Sequence, residues 1–243
     1  MHILMVHGTA HDENCWNELT PYLIAQGFRV HTLTLRGHGR SQDSGYRISM
    51  SIYAEDVCHE AELIGEPCVL MGHSMGGMVI SSAAEARSDL FSHLIYLAAF
   101  VPKQHGSSML MLELSLKKKY PAAKKTAVKN FSLLQGTIKL NNEKCKETFY
   151  NKCSGDLLEI ANRYLGRQPI RPFFSRVAWT EERLGSIPKI YIECTLDNAI
   201  NINMQRIFQT QMQFSCVKSI ASDHSPFLSM PEELSTCIAE ALA

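Results

Sequence analysis

The ten residues Val69–Met78, reading Val-Leu-Met-Gly-His-Ser-Met-Gly-Gly-Met, constrain this chain more than any other stretch. They place G-x-S-x-G directly after an apolar run of strand length and directly before a run of helical period. A strand that turns into a helix within so few residues puts its serine on a tight, strained bend, with the side chain pushed into a cleft. Neighbours of that bend must be tiny or the helix cannot approach the strand, which is the role read for Gly72 and Gly76. The helix also directs its first amides toward any negative charge forming near Ser74.

The rest of the sequence supplies the sheet that such a bend requires. Apolar, β-rich runs at 2–6, 29–35, 67–72, 94–100, 189–195 and 216–221 read as strands. Helical stretches fall around 16–26, 51–64, 75–87 and 201–213, with a last one at 231–242. Pro231, Glu232 and Glu233 make a favourable first turn for that last helix. Strands this continuously apolar, alternating with helices, predict an α/β fold with a mostly parallel sheet covered on both faces.

Composition removes several classes of function. With 45% hydrophobic and 20% charged residues in 243, the chain is neither collagen-like, coiled-coil nor wholly disordered. Lys+Arg and Asp+Glu each number 24, so net charge gives no sign of a nucleic-acid partner. No apolar stretch reaches the roughly 18 residues of a membrane span. Met1 is followed at once by a strand-like run without a basic leader, so no signal peptide is expected. The 8 cysteines form no C-x-x-C pair and often sit in apolar runs, as Cys68, Cys194 and Cys216 do. That usage predicts a cytoplasmic protein with free thiols. No metal site is expected either: His59-Glu60 begins like a zinc motif, but Leu63 stands where the second histidine belongs.

One segment breaks the alternation. Residues 101–175 look helical, with no convincing strand, and carry 11 Lys and 3 Arg against 5 acidic residues, a net +9. An insertion after the strand near 94–100 predicts a helical cap over the sheet edge, with the core formed by 1–100 and 176–243. Lysines 117–119, 124, 125 and 129 either attract anions or form a solvated helix face, and the second reading is favoured. Leu110, Leu114 and Phe131 are read as substrate contacts on the cap's apolar inner side. Packing of the cap onto the core requires the same residues.

A serine hydroxyl needs a base to take its proton, and the base needs an acid to fix its tautomer. In the chain order that this turn implies, the acid follows the nucleophile and the base comes last. Asp197 lies just past the strand at 189–195, on the side where clefts open in parallel sheets. His224 lies in the loop after the next strand. Asp223 would have to fold back on its neighbour and is read as ordering the loop; Glu193 lies within a strand and is read as a flank residue or a salt-bridge member. Asp197 is favoured over both. Donors for an oxyanion are expected at the amides of Met75, after the nucleophile, and of Thr9, after the first strand.

Assembled in this way, the chain resembles the α/β-hydrolase superfamily over nearly its whole length. It is most similar to the plant-type methylesterase and hydroxynitrile lyase group, which includes the salicylate-binding methylesterases. The shared stretches are His7-Gly8 with His11 and Trp16, Gly72–Met78, Leu97-Ala98-Ala99-Phe100-Val101-Pro102, Tyr191–Asp197, and Asp223-His224 followed by Pro231. The resemblance implies a single domain over 1–243, no cofactor, frequently a homodimer, and substrate contacts at His11 and Trp16. Lyases of this group carry a lysine directly after the catalytic histidine, and here that position is Ser225. The function expected is a serine carboxylesterase acting on a small, largely apolar ester, methyl esters included. The alternatives are a lyase or other non-hydrolytic enzyme on the same scaffold, and a ligand receptor with weak turnover.

Overall fold

In the computed structural model of the chain, the structure describes residues 1–41, 43–119, 128–132 and 134–243, with the backbone alone at 116–119 and 128–131. Its strands are β1 (His2–Val6), β2 (Arg29–Leu33), β3 (Cys68–His73), β4 (Phe91–Leu97), β5 (Val128–Ser132), β6 (Thr137–Leu140), β7 (Arg167–Pro169), β8 (Lys189–Cys194) and β9 (Cys216–Ile220). Its helices are α1 (Thr20–Ala25), α2 (Met50–Ile64), α3 (Gly76–Ala86), α4 (Met109–Lys119), α5 (Asn142–Phe149), α6 (Asp156–Tyr164), α7 (Arg171–Phe174), α8 (Ile202–Gln209), α9 (Pro226–Ser229) and α10 (Pro231–Leu242).

Six strands pair in the order β2-β1-β3-β4-β8-β9, all parallel. Both faces of this sheet are apolar, which is why its strands read as continuous runs. Leu4, Val6 and Leu70 enter one core with α2 and α3, while Ile3, Met5, Val69 and Met71 enter the other with α1 and α10. Register brings the carboxyl ends of the central strands level: Val6 lies beside Gly72, and Gly72 beside Tyr96. The loops leaving β1, β3 and β4 therefore emerge together.

The apolar run expected as a strand at 94–100 is used differently. The strand occupies Phe91–Leu97, and Ala98 turns out of it with φ +42°. Its amide still bonds Ile192 O at 3.0 Å, so Ala98-Ala99-Phe100 becomes a buried shoulder of the site rather than a sheet extension. The helix expected at 16–26 is shorter, with a 3₁₀ turn at Glu13–Trp16 capped by Asp12 ahead of α1.

The cap differs from a purely helical lid. Its helices α4 to α7 are joined by a three-stranded antiparallel sheet in the order β5-β6-β7. The expectation of no strand between 101 and 175 is thus corrected. Thr137-Ile138-Lys139-Leu140 is buried only at its two ends, and four residues without a clean alternation do not stand out from helical surroundings. Of the cap lysines singled out above, the side chains of 117–119 and 129 and the whole of 124 and 125 lie outside the described residues.

Gly76 opens α3 where the helix crosses β1, and a Cβ there would stand 2.7 Å from Val6 O. That oxygen belongs to sheet backbone and cannot step aside. Gly76→Ala is therefore expected to destabilise the protein by about 1–3 kcal/mol, seen as a fall in Tm of about 2–12 °C in thermal unfolding.

Candidate active site

Among the described residues, three non-glycine residues have left-handed backbone, and they follow three adjacent strands: Ala10 (φ +61°) after β1, Ser74 (φ +55°) after β3, Ala98 (φ +42°) after β4. Strain of this kind concentrates at functional sites. At Ser74 it is held by the neighbouring loop. Ser74 N donates to Leu97 O at 3.2 Å, and Phe100 N donates to Ser74 O at 3.1 Å. Gly8 keeps the adjacent loop close, since a Cβ there would stand 2.8 Å from His73 Nδ1 and 3.0 Å from Ser74 Cβ.

His224 and Asp197, separated by 27 positions, meet at the carboxyl ends of β9 and β8. The His224 Nδ1–H donates to Asp197 Oδ2 at 2.6 Å, and both residues are buried. A carboxylate only accepts, so this bond leaves Nε2 with its lone pair free. The Asp197 carboxylate is itself fixed. Its Oδ1 accepts from Ala199 N (2.6 Å) and Ile200 N (2.9 Å), and its Oδ2 from Gln205 Nε2 (3.3 Å). Gln205 is in turn locked by Cys194 N, Cys194 O and Ile200 O. No sequence motif marks Gln205, because its part depends on α8 folding back along β8.

Asp223 points elsewhere. It accepts from Lys152 N (2.9 Å), Ser225 N (3.2 Å) and Ser229 Oγ (2.7 Å), which orders the His224 loop and ties it to the cap. Glu193 pairs with Arg206, Gln209 and Ser219 away from the cavity. The Ser225 hydroxyl is buried without a partner among the described residues.

Four buried histidines surround these residues, each with a tautomer set by its partners. His7 donates to Gly8 O and accepts from Leu35 N. His11 donates to Thr9 O, leaving Nε2 to accept the Tyr150 hydroxyl at 2.5 Å. His38 donates to His11 O and accepts the Tyr53 hydroxyl. His73 donates to His224 O at 2.8 Å, supporting the His224 loop from below. Burial pushes the His7 imidazole down to about 4 and that of His11 to about 3, and holds those of His38 and His73 well below their usual range. All four are neutral at pH 7.

Ser74, His224 and Thr9 open onto one cavity of about 290 Å³. No hydrogen bond joins the Ser74 hydroxyl to the His224 ring in this conformation; such bonds often tighten only around a substrate. Among the described residues, the amides of Thr9 and Met75 make no hydrogen bond either, as donors reserved for an incoming oxygen would. The cavity wall is apolar: Phe100 from the core, Met109 from α4, Ile138 and Leu140 from β6, Phe149 from α5, Phe173 from α7. Glu113 is the acidic residue in that wall, and the Phe149 ring lies 5.3 Å from that of His224.

Several expected substrate contacts fall elsewhere. Leu114 is 59% exposed and Leu110 half-buried; α4 turns Met109 and Glu113, one step earlier around the helix, into the cavity instead. His11 and Trp16 are fully buried behind the wall. Trp16 packs on Phe227 with ring centroids 4.9 Å apart, so both residues support the loops rather than line the cavity. The side chain of Phe131 lies outside the described residues.

Residues 3–236 match the alpha/beta hydrolase family, and the chain belongs to it. It is 30% identical to a pyrethroid hydrolase of Sphingobium wenxiniae over 98% of this chain and 86% of that one. It is 25% identical to methyl jasmonate esterase 1 of Vitis vinifera, over 98% and 95% of the two chains. The crystal structure of a pyrethroid hydrolase from Sphingobium faniae shares 27% identity, covers 100% of this chain and 98% of its own, and superposes with a TM-score of 0.87.

The neutral histidines give a pH dependence of definite sign. An unfolded chain protonates them near 6.5, whereas the folded chain resists until about 4 at His7 and about 3 at His11. Unfolding therefore takes up protons in that window, and stability falls as pH falls from about 6.5 toward 4. Urea unfolding at pH 7 and pH 5 should show a loss approaching about 1.4 kcal/mol per pH unit for each histidine that stays neutral. Equal stability at the two pH values would mean that these rings accept protons in the folded state.

Proposed function

We propose that the chain is a serine carboxylesterase for a small, largely apolar ester, methyl esters included. The observation that carries this is the 2.6 Å bond from His224 Nδ1 to Asp197, with Ser74 and His224 opening on the same apolar cavity. Ser74 Oγ attacks the ester carbonyl carbon and its proton passes to His224 Nε2. The negative charge that forms on the carbonyl oxygen is met by the Thr9 and Met75 amides. Collapse breaks the bond to the alkoxy oxygen, which takes the proton from His224 and leaves as the alcohol. Water, deprotonated by the same imidazole, attacks the acyl-serine, and the proton returns to Ser74 as the acid departs. The apolar wall favours a hydrophobic acyl or alkyl group and excludes competing water.

In this reading the core and cap act as one domain over 1–243. The resemblance to the plant-type esterases supports a homodimer. Eight free cysteines support a cytoplasmic, reducing setting. None of the described helices is long and apolar enough to cross a membrane.

Ser74→Ala is expected to lower kcat on an aryl ester by about 10⁴–10⁶ and to abolish labelling by a fluorophosphonate. A labelled wild type that turns over no member of a panel of aryl and methyl esters would favour the receptor reading. Release of cyanide from mandelonitrile as fast as the best ester is cleaved would favour the lyase, against the serine at 225.

The acid is tested separately. Asp197→Asn should cost about 10⁴ in kcat by leaving the wrong His224 tautomer. Asp223→Asn should act mainly on stability, through its contacts to Lys152, Ser225 and Ser229. The opposite ranking in steady-state kinetics would transfer the acid's role to Asp223.

A further inference from the structure

The turn between Gly8 and His11 is held at almost every polar backbone atom, and at Ala10 the hold comes from the cap. Gly8 O accepts from His11 N (3.4 Å) and His7 Nδ1 (2.9 Å), and Thr9 O from His11 Nδ1 (2.8 Å). Ala10 N donates to Gln168 Oε1 (2.9 Å), Ala10 O accepts from Gly166 N (2.7 Å), and His11 O accepts from His38 Nδ1 (3.0 Å). From Gly8 O to His11 O, the Thr9 N–H alone has no partner among the described residues. Three of the groups that impose this arrangement belong to the cap: Gln168 and Gly166, and Tyr150 through its hydroxyl on the His11 ring.

We propose that Gln168, assisted by Tyr150, is a positioning residue for the oxyanion site, holding the Ala10 peptide so that the Thr9 N–H stays directed at the reacting carbonyl. The proposal rests on the serine esterase reading above. Gln168 is fully buried, and its Nε2 is anchored on Pro169 O at 2.8 Å, so its carbonyl oxygen has one orientation available. The peptide it grips needs such a grip, since Ala10 is a left-handed non-glycine residue whose relaxation would rotate the Thr9–Ala10 peptide and, through the Thr9 Cα, shift the Thr9 N–H. Gln168 also pairs in register with Ile138, which lines the cavity. A substrate packed on Ile138 therefore bears on the same strand pair that holds the oxyanion turn. The cap thereby joins substrate fit to catalytic geometry.

The test compares Gln168→Leu, which removes the acceptor at similar size, with Gln168→Glu, whose carbonyl oxygen can still accept from Ala10 N. Kinetics on p-nitrophenyl acetate are read beside amide hydrogen exchange at 9–11 and at 68–73. Gln168→Leu is expected to lower kcat by about 10–100-fold, with KM within about threefold. Exchange at 9–11 should quicken at least about tenfold while that at 68–73 is unchanged. Gln168→Glu should restore kcat to within about fivefold. Tyr150→Phe provides a second variant should the leucine protein fail to fold, with the same direction of effect and a smaller size. Unaltered exchange at 9–11 overturns the proposal, as does quickened exchange with unaltered kcat, a rise in KM alone, or a loss that glutamate does not restore. If Ser74→Ala turns over ester as fast as wild type, the esterase reading fails instead, and the exchange data alone then decide whether the cap holds the turn.

Discussion

The left-handed backbone at Ser74 is the constraint on which the rest of the site depends. A non-glycine residue in that conformation costs about 1–3 kcal/mol, and the structure opposes its relaxation with bonds to Leu97 O and from Phe100 N. Those bonds require the β4 chain to leave its strand at Ala98, which is itself left-handed, and to run back past the serine. They also require α3 to begin at once, so its first residue must tolerate the β1 backbone, as Gly76 does. The parallel sheet makes this combination affordable. Its register brings three strand ends level, so Ser74 is bonded by the loop after β4, Ala98 by β8 and Ala10 by the cap.

Around that bend the dominant problem is desolvation. A dry cavity strengthens the electrostatics of an ester-cleaving site, but it also buries many polar atoms. The chain meets this with neutral histidines in fixed tautomers, each bonded to a backbone carbonyl and, for His7, His11 and His38, also accepting from an N–H or O–H. Among the described residues the Nδ1 of His73, beside Gly8, and the hydroxyl of Ser225 have no partner. Cap and core share this solution. Lys152 N on Asp223, Tyr150 on His11 and Gln168 on Ala10 tie the cap to the loop carrying His224 and to the turn carrying Thr9. The cap is thus joined by polar contacts to loops on both sides of the cavity, in addition to covering it.

Much of this architecture was legible in the sequence because it rests on local patterns. Continuous apolar runs between helical periods specify a parallel sheet, since only strands buried on both faces need apolar side chains on both. Gly72-His73-Ser74-Met75-Gly76 specifies its own bend, because no larger residues fit a strand so close to its helix. Asp197 and His224 could be singled out because each follows a strand on the side where clefts open, and the two meet at 2.6 Å. The separation of Asp197 from Asp223 followed from chain stiffness: a carboxylate cannot easily turn back on the imidazole next to it, and Asp223 instead faces the cap and Ser229.

What tertiary structure alone decided lies where the contacting residues are far apart in the chain. Gln168 and Ala10 are 158 positions apart, and Tyr150 and His11 139; no local period records either meeting. The cap sheet was hidden because its strands are short and each is stabilised by the next rather than by its own sequence. The face of α4 was hidden for a related reason. Met109, Leu110, Glu113 and Leu114 offer two neighbouring stripes, and the core and α7 beneath the helix select the one that faces the cavity. The sheet and the bend at Ser74 follow from neighbours along the chain, and so could be read without the fold. Which side chains line the cavity and which hold the turn at Thr9 came from packing between distant segments, a choice that only the folded chain makes.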